Sequence, residues 1–258
     1  MKNRLNIIAL TQARIGSSRL PRKVLKPVGS ETILSLHLNR LRQATLIDQI
    51  VVATTHEKYV ERIIAIAKES GTAYFQGDTN NVLDRFYQAA KLHKADYVVR
   101  LTSDCPLIDP KLIDQVITFT IDRKLDYGSN ILIEHFPDGQ DIEVFTFKAL
   151  EKAHQLAQLD SEKEHVTPYI IKRSTFKGGK QFIAENFPSS IDYSAVRMTV
   201  DEPNDYFIIK TLVKELGAEA SWNEYTQHIL NNPAKFTNQK IVRNEGYLNS
   251  LNREQNGK

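Results

Sequence analysis

Four cations crowd a short stretch near the amino end, Arg14, Arg19, Arg22 and Lys23, around Gly16, Ser17 and Ser18. Small residues let backbone N–H groups turn toward one anion while converging cations neutralise it, so the chemistry on offer is the cradling of a polyphosphate. Residues 1–30 hold seven Lys or Arg and no Asp or Glu, so with a whole-chain charge of +3 the remaining residues carry −4 (3 less 7). A solvated basic terminus would have the same charges. Position separates the two readings: the loop directly follows residues 5–10, an apolar run of buried-strand length, and open α/β sheets bind ligands just past such strand ends.

Two acids complete a possible site. Asp104 follows an expected strand and precedes Pro106; Asp201 follows another and opens Asp201-Glu202-Pro203. Each alone reads equally as a turn aspartate or a helix cap. Together, facing a basic loop on one sheet edge, they offer a place for Mg²⁺, which binds through one or two carboxylates plus substrate phosphates. The two-residue strand period sets Arg197, Thr199 and Asp201 on one face, so Arg197 either points into that cleft or pairs with an acid. In the central segment Asp141, Glu143, Glu164 and His165 can meet hydroxyls or amines of a second substrate, or serve as local caps and surface pairs. His165 is the group there that titrates nearest neutrality.

Positioning these side chains requires alternating strands and helices, and the chain supplies them. Strands are expected at 50–53, 72–75 and 96–101, with helices between them: one capped by Thr32 over 33–41, one opened by a Thr54–Glu57 capping box and running to about 70, and one over 80–94. Asp109 and Pro110 open a helix through 121. From residue 128 to 190 short strand-like runs interrupt helices, which reads as an inserted lobe for substrate binding or dimerisation. A strand over 195–200 then rejoins the sheet, and helices follow at 203–216 and 222–230. The expected fold class is α/β, a mostly parallel sheet flanked by helices with an inserted lobe, forming one domain over 1–258 with a frayed tail at 253–258.

Composition narrows the function. Hydrophobic content of 41% and charged content of 25% are ordinary for a folded protein. The amino-terminal apolar run is too short for a signal-peptide core and no stretch reads as a membrane span, so a cytoplasmic protein without membrane contact is expected. The single Cys105 excludes an internal disulfide framework and a Cys-based zinc site. Basic excess confined to one loop suits a small anion rather than nucleic acid. Neither Gly-x4-Gly-Lys-Ser/Thr, Gly-x-Gly-x2-Gly, His-Glu-x2-His nor Gly-x-Ser-x-Gly occurs.

Residues 12–23, Gln-Ala-Arg-Ile-Gly-Ser-Ser-Arg-Leu-Pro-Arg-Lys, resemble the opening signature of the sugar-activating cytidylyltransferases, the 3-deoxy-manno-octulosonate and acylneuraminate group, and above all its SpsF-like branch of spore-coat polysaccharide biosynthesis. Residues 102–107 match that family's Asp-x-Pro segment, Asp84-Arg85 its acid–Arg pair, and residues 200–205 its late Asp-x-Pro-x-Asp segment. Residues 138–143, 164–168 and 244–247 resemble the SpsF-like branch in particular. At Thr11-Gln12 and at Arg22 the chain departs from the sialate-type pattern.

The resemblance implies a nucleotide-diphospho-sugar transferase fold with CTP over the first loop. Gln12, Ala13 and Arg14 would line the cytosine and ribose, Gly16, Ser17, Arg19 and Lys23 the phosphates, and Arg85, Thr102 and Asp104 would border the nucleotide. Asp104 and Asp201 match the family's Mg²⁺-binding aspartates. The implied reaction moves CMP from CTP to an acidic sugar of the nonulosonic type, releasing pyrophosphate, and Arg14 and Lys23 would stabilise the phosphate charge. On the reading of the residues themselves, Asp141, Glu143, Glu164, His165 and Arg197 are the expected acceptor contacts, and a homodimer through 128–190 is expected. A glycosyltransferase of related fold and a catalytically silent nucleotide-binding partner are the alternatives; pyrophosphate release from CTP plus acceptor separates them.

Overall fold

The apolar run near the amino end becomes the middle of a seven-stranded sheet. The computed structural model describes residues 4–17, 19–238 and 243–256. In chain order its elements are β1 (Ile7–Gln12), the short hairpin β2 (Pro27–Val28) and β3 (Glu31–Thr32), α1 (Ile33–Leu41), β4 (Gln49–Thr54), α2 (Glu61–Glu69), β5 (Ala73–Gln76), α3 (Val82–Leu92), β6 (Tyr97–Thr102), α4 (Pro110–Asp122), β7 (Tyr127–Ser129), β8 (Glu143–Thr146), α5 (Phe147–Leu156), α6 (Asp160–His165), α7 (Pro168–Lys172), β9 (Ala184–Asn186), α8 (Pro203–Leu216), α9 (Trp222–Asn231) and α10 (Glu245–Asn256).

The sheet order is β5-β4-β1-β6-β8-β7-β9. The first four strands are parallel; β8 runs antiparallel to both β6 and β7, and β9 parallels β7. β1 is apolar at consecutive positions because both of its faces are covered. Ile8 and Leu10 enter one core layer with residues of α3, α5 and α7, while Ile7 and Ala9 enter another with residues of α1, α2 and α4. A third cluster joins α8 and α9 to Val196, Met198 and Val200. Thr32 caps α1 and Asp109 caps α4 as their sequence signals require.

Four expectations meet a different outcome. The Thr54–Glu57 capping box is not formed: α2 starts at Glu61, and the Glu57 carboxylate reaches back to accept from Thr55 Oγ1 and the amides of Ile15 and Gly16. Residues 195–200 are extended and buried but make no strand of the sheet. Their main chain docks on a loop instead, with Met198 N donating to Asp138 O and Val200 N to Asp104 O. Gly139 permits this close approach: at φ +108° a Cβ there would stand 2.7 Å from the Met198 carbonyl carbon. Strands β7, β8 and β9 of the 128–190 segment extend the main sheet. The tail expected to fray from residue 253 continues as α10 to Asn256, with Glu254 anchored by Ser161; residues 257 and 258 lie outside the described residues. Among the described residues no helix is long and apolar enough to cross a membrane.

Candidate active site

From β1 the chain builds outward to β4 and β5 on one side, and to β6 on the other, so the winding direction reverses between β1 and β6. Ligands of open α/β sheets bind beyond the carboxyl ends of strands at such a point. Gln12 and Thr102 are register partners there. A cleft of about 1080 Å³ opens beyond them, room for a nucleotide and a second substrate together.

A buried histidine fixes the two strand ends relative to each other. His37, fully buried on α1, donates from Nδ1 to the Cys105 carbonyl at 2.9 Å and accepts at Nε2 from the Thr11 hydroxyl at 2.9 Å. A carbonyl can only accept, so Nδ1 carries the proton; burial lowers the ring's pKa to about 4, which leaves it neutral at neutral pH with Nε2 as the acceptor. Ser103 adds a second tie, its Oγ donating to the Gln12 carbonyl at 2.7 Å.

Asp104 and Asp201 come together on one cation. Lys23 Nζ donates to Asp104 at 2.7 Å, to Asp201 at 2.8 Å and to the Val200 carbonyl at 2.9 Å, so all three of its protons are engaged. Burial would raise the Asp104 pKa, but the Lys23 charge and hydrogen bond bring it down to about 2. Arg19 also binds Asp201, at 3.1 Å, besides Glu202 and Glu245. The cap of α8 is Glu202 rather than Asp201. Buried Asp205 holds the Asp201 and Glu202 amides at 2.9 Å each, and this leaves the Asp201 carboxylate facing the cleft. Arg197 lies beneath, bonded to Asp138, Asp201 and Asp205. It serves the structural pairing and borders the cleft as well.

The residues expected on the nucleotide side line the same cleft: Gln12, Ala13, Arg14, Gly16, Ser17, Arg85 and Thr102. Arg85 is 2% exposed, donates to the Asp78 carbonyl at 2.7 Å, and has a buried Nε without a protein partner. Burial first, and the charge of Arg14 second, lower its pKa to about 10, so it remains charged at neutral pH. Two mutually repelling guanidiniums favour an anion between them. Buried Gln12 Oε1 likewise lacks a protein donor.

Asp141, Glu164 and His165 line the cleft as well. Asp141 binds Arg243. Glu164 accepts from Ser250 at 2.7 Å and Arg253 at 2.9 Å. Burial, partly opposed by Glu164, lowers the His165 pKa to about 4, so the ring is neutral at neutral pH. Glu143 is not among the lining residues: it is 1% exposed, and its carboxylate takes the Tyr127 and Thr167 hydroxyls and the Arg100 guanidinium. It therefore positions Arg100, which does line the cleft. Arg100 carries no motif in the sequence, while Glu57, Asp205 and the start of α10 stand there only as a capping partner and as motif members, without a role in the cleft. Arg100 and Asp205 leave a trace, each a charged residue beside a run that must be buried.

The described residues include no group of three or more His, Cys, Asp or Glu able to hold a metal unaided. Two oxygen-donor carboxylates within reach of one ammonium do fit a hard cation whose remaining ligands come from phosphates and water.

Comparison with known proteins agrees with this architecture. The family model described as Cytidylyltransferase matches residues 8–229. An uncharacterised protein of Methanocaldococcus jannaschii is 38% identical over 212 residues, 81% of this chain and 84% of that protein. The spore coat polysaccharide biosynthesis protein SpsF of Bacillus subtilis is 33% identical over 217 residues, 82% of this chain and 88% of its own length. The structure of a cytidylyltransferase from Leptospira borgpetersenii superposes with a TM-score of 0.85 at 34% identity, covering 93% of this chain and 100% of that one. This chain belongs to the cytidylyltransferase family, enzymes of the nucleotide-diphospho-sugar transferase-like fold.

Proposed function

We propose that the enzyme moves CMP from CTP to an acidic sugar of the nonulosonic type, with Mg²⁺ and with release of pyrophosphate, making an activated sugar for surface glycans. One observation carries the reading: Asp104 and Asp201, remote in sequence, converge on a single cationic point opposite the basic loop, inside the large cleft at the β1/β6 reversal.

The chemistry follows from these parts. CTP enters with its phosphates along the basic loop and between Arg14 and Arg85, and Gln12 Oε1 accepts from the amino group of cytosine. Asp104 and Asp201 would hold Mg²⁺, which when bound neutralises phosphate charge and orients the triphosphate. The acceptor hydroxyl attacks the α-phosphorus as pyrophosphate departs in line, so catalysis is positioning plus charge stabilisation. Arg14 and Lys23 act on the phosphates. Lys23 can do so only by exchanging a carboxylate partner for a phosphate oxygen, since its three protons are already in use. Neutral His165 can accept a hydroxyl hydrogen bond, while its low pKa makes it a poor base.

Homodimerisation through residues 128–190 is part of the proposal, supported by edge strand β9 and by exposed Ile133 (46%) and Ile183 (52%) on that segment. Sedimentation velocity tests it. The main experiment is pyrophosphate release with a panel of nucleoside triphosphates and acidic sugars, with Mg²⁺ supplied or chelated. CTP and Mg²⁺ are expected to be required; a preference for ATP or UTP, or turnover without a divalent ion, overturns the assignment.

A further inference from the structure

We infer that helix α10 is the specificity-determining wall for the acceptor, with Tyr247, Ser250 and Arg253 meeting the hydroxyl-bearing arm of the sugar; this rests on the reading of the cleft given above. The family match ends at residue 229, so α10 lies beyond the matched residues. It nevertheless lines the cleft through these three residues. A helix of its length spans about 18 Å, and it is tied at both ends. Glu245 binds Arg19 of the basic loop at 2.6 Å, and Glu254 takes the Ser161 amide and hydroxyl at 2.6 and 3.0 Å. It thus runs from the phosphate side of the cleft to α6.

What α10 presents at the α6 end differs from what the loop presents at the other. It surrounds the His165 ring: a Cβ on Gly246 would sit 4.0 Å from Cε1, the Tyr247 ring lies 5.1 Å away at 71°, and Ser250 Oγ is 3.2 Å from Nε2. Ser250 also donates to Glu164, whose carboxylate is balanced by Arg253. Imidazole, phenol, hydroxyl, carboxylate and guanidinium alternate around an aromatic face, with the acid already paired. That mixture suits vicinal hydroxyls and the C–H face of a sugar, whereas the repelling Arg14 and Arg85 suit phosphate.

The test uses the full chain carrying Tyr247→Ala, Ser250→Ala or Arg253→Ala. CTP affinity is measured by calorimetry, and pyrophosphate release with 3-deoxy-manno-octulosonate and N-acetylneuraminate as acceptor probes. The acceptor KM should rise about tenfold or more while CTP affinity stays within about twofold of wild type. Tyr247→Phe and Arg253→Lys, which preserve packing, should change the ratio of the two acceptors' kcat/KM. An unchanged acceptor KM in all variants, or a parallel fall in CTP affinity, overturns the inference alone. A wild-type chain that binds CTP yet releases no pyrophosphate with either acid overturns the underlying reading and the inference with it, and this is seen before any variant is made.

Discussion

Asp104 and Asp201 hydrogen-bond to the same ammonium, that of Lys23, at 2.7 and 2.8 Å. Two carboxylates so close cannot both stay ionised without positive charge between them. The ammonium supplies that charge and keeps Asp104 a carboxylate down to a pKa of about 2. Three chain segments that fold on separate elements are thereby gathered at one point.

Replacing either acid tests the pair. Asp201→Asn keeps the shape but removes a carboxylate proposed to hold the cation, and kcat/KM with CTP should fall about 10²-fold or more. Pyrophosphate release across a Mg²⁺ series measures it, with a thermal melt to confirm that the fold survives.

Arg85 should show a trade between stability and binding. Arg85→Met removes a buried charge that has no carboxylate within ion-pair distance among the described residues and that repels Arg14. The melting temperature should hold or rise, while CTP affinity weakens about tenfold or more. Calorimetry with CTP and a melt without it read the two halves.

Arg197 should behave oppositely. It is buried against Asp138, Asp201 and Asp205, so Arg197→Met strands carboxylates in the interior. Removing one side of such a network costs about 3–5 kcal/mol. Urea denaturation should show a loss of that size, together with loss of turnover.

Acid should weaken the fold through His37. Its folded pKa, about 4, lies below the ordinary histidine value of 6.5. Between those values the unfolded chain binds a proton that the folded chain refuses, so stability is present above pH 6.5 and is lost as pH falls toward 4. The full shift corresponds to about 3 kcal/mol. His165 shifts in the same direction. Denaturation midpoints across this window should fall with pH, and the slope should be shallower in His37→Leu.

The sequence was most readable where one local signal decided the outcome. β1, the helix opened by Pro203 and the caps Thr32 and Asp109 follow from apolar runs, proline and short polar side chains. The meeting of Asp104 with Asp201 was also within reach, because both follow apolar segments and precede prolines. Less legible was anything set by a distant partner. Thr54 and Glu57 have capping-box spacing, yet Glu57 finds better donors in the amides of Ile15 and Gly16. Residues 195–200 have strand alternation, but hydrogen bonds to Asp138 and Asp104 hold them off the sheet. Glu143 sits in a branch motif, yet two hydroxyls and Arg100 draw it inward. Residues 244–247 resemble a branch motif, yet nothing local in 245–256 foretells that their helix would close one side of the cleft.

The docking of Met198 against the glycine turn at 138–139 has a mechanical consequence. Asp104 hangs from a central strand of the sheet, one jaw, whereas Asp201 rides on a segment outside the sheet, seated by Val196, Met198 and Val200 in the third cluster, by main-chain bonds and by Arg197, the other jaw. Substitutions along that seam would reset the gap between the jaws, and with it the fit of the cation they are proposed to hold, while the sheet that carries the basic loop stays untouched.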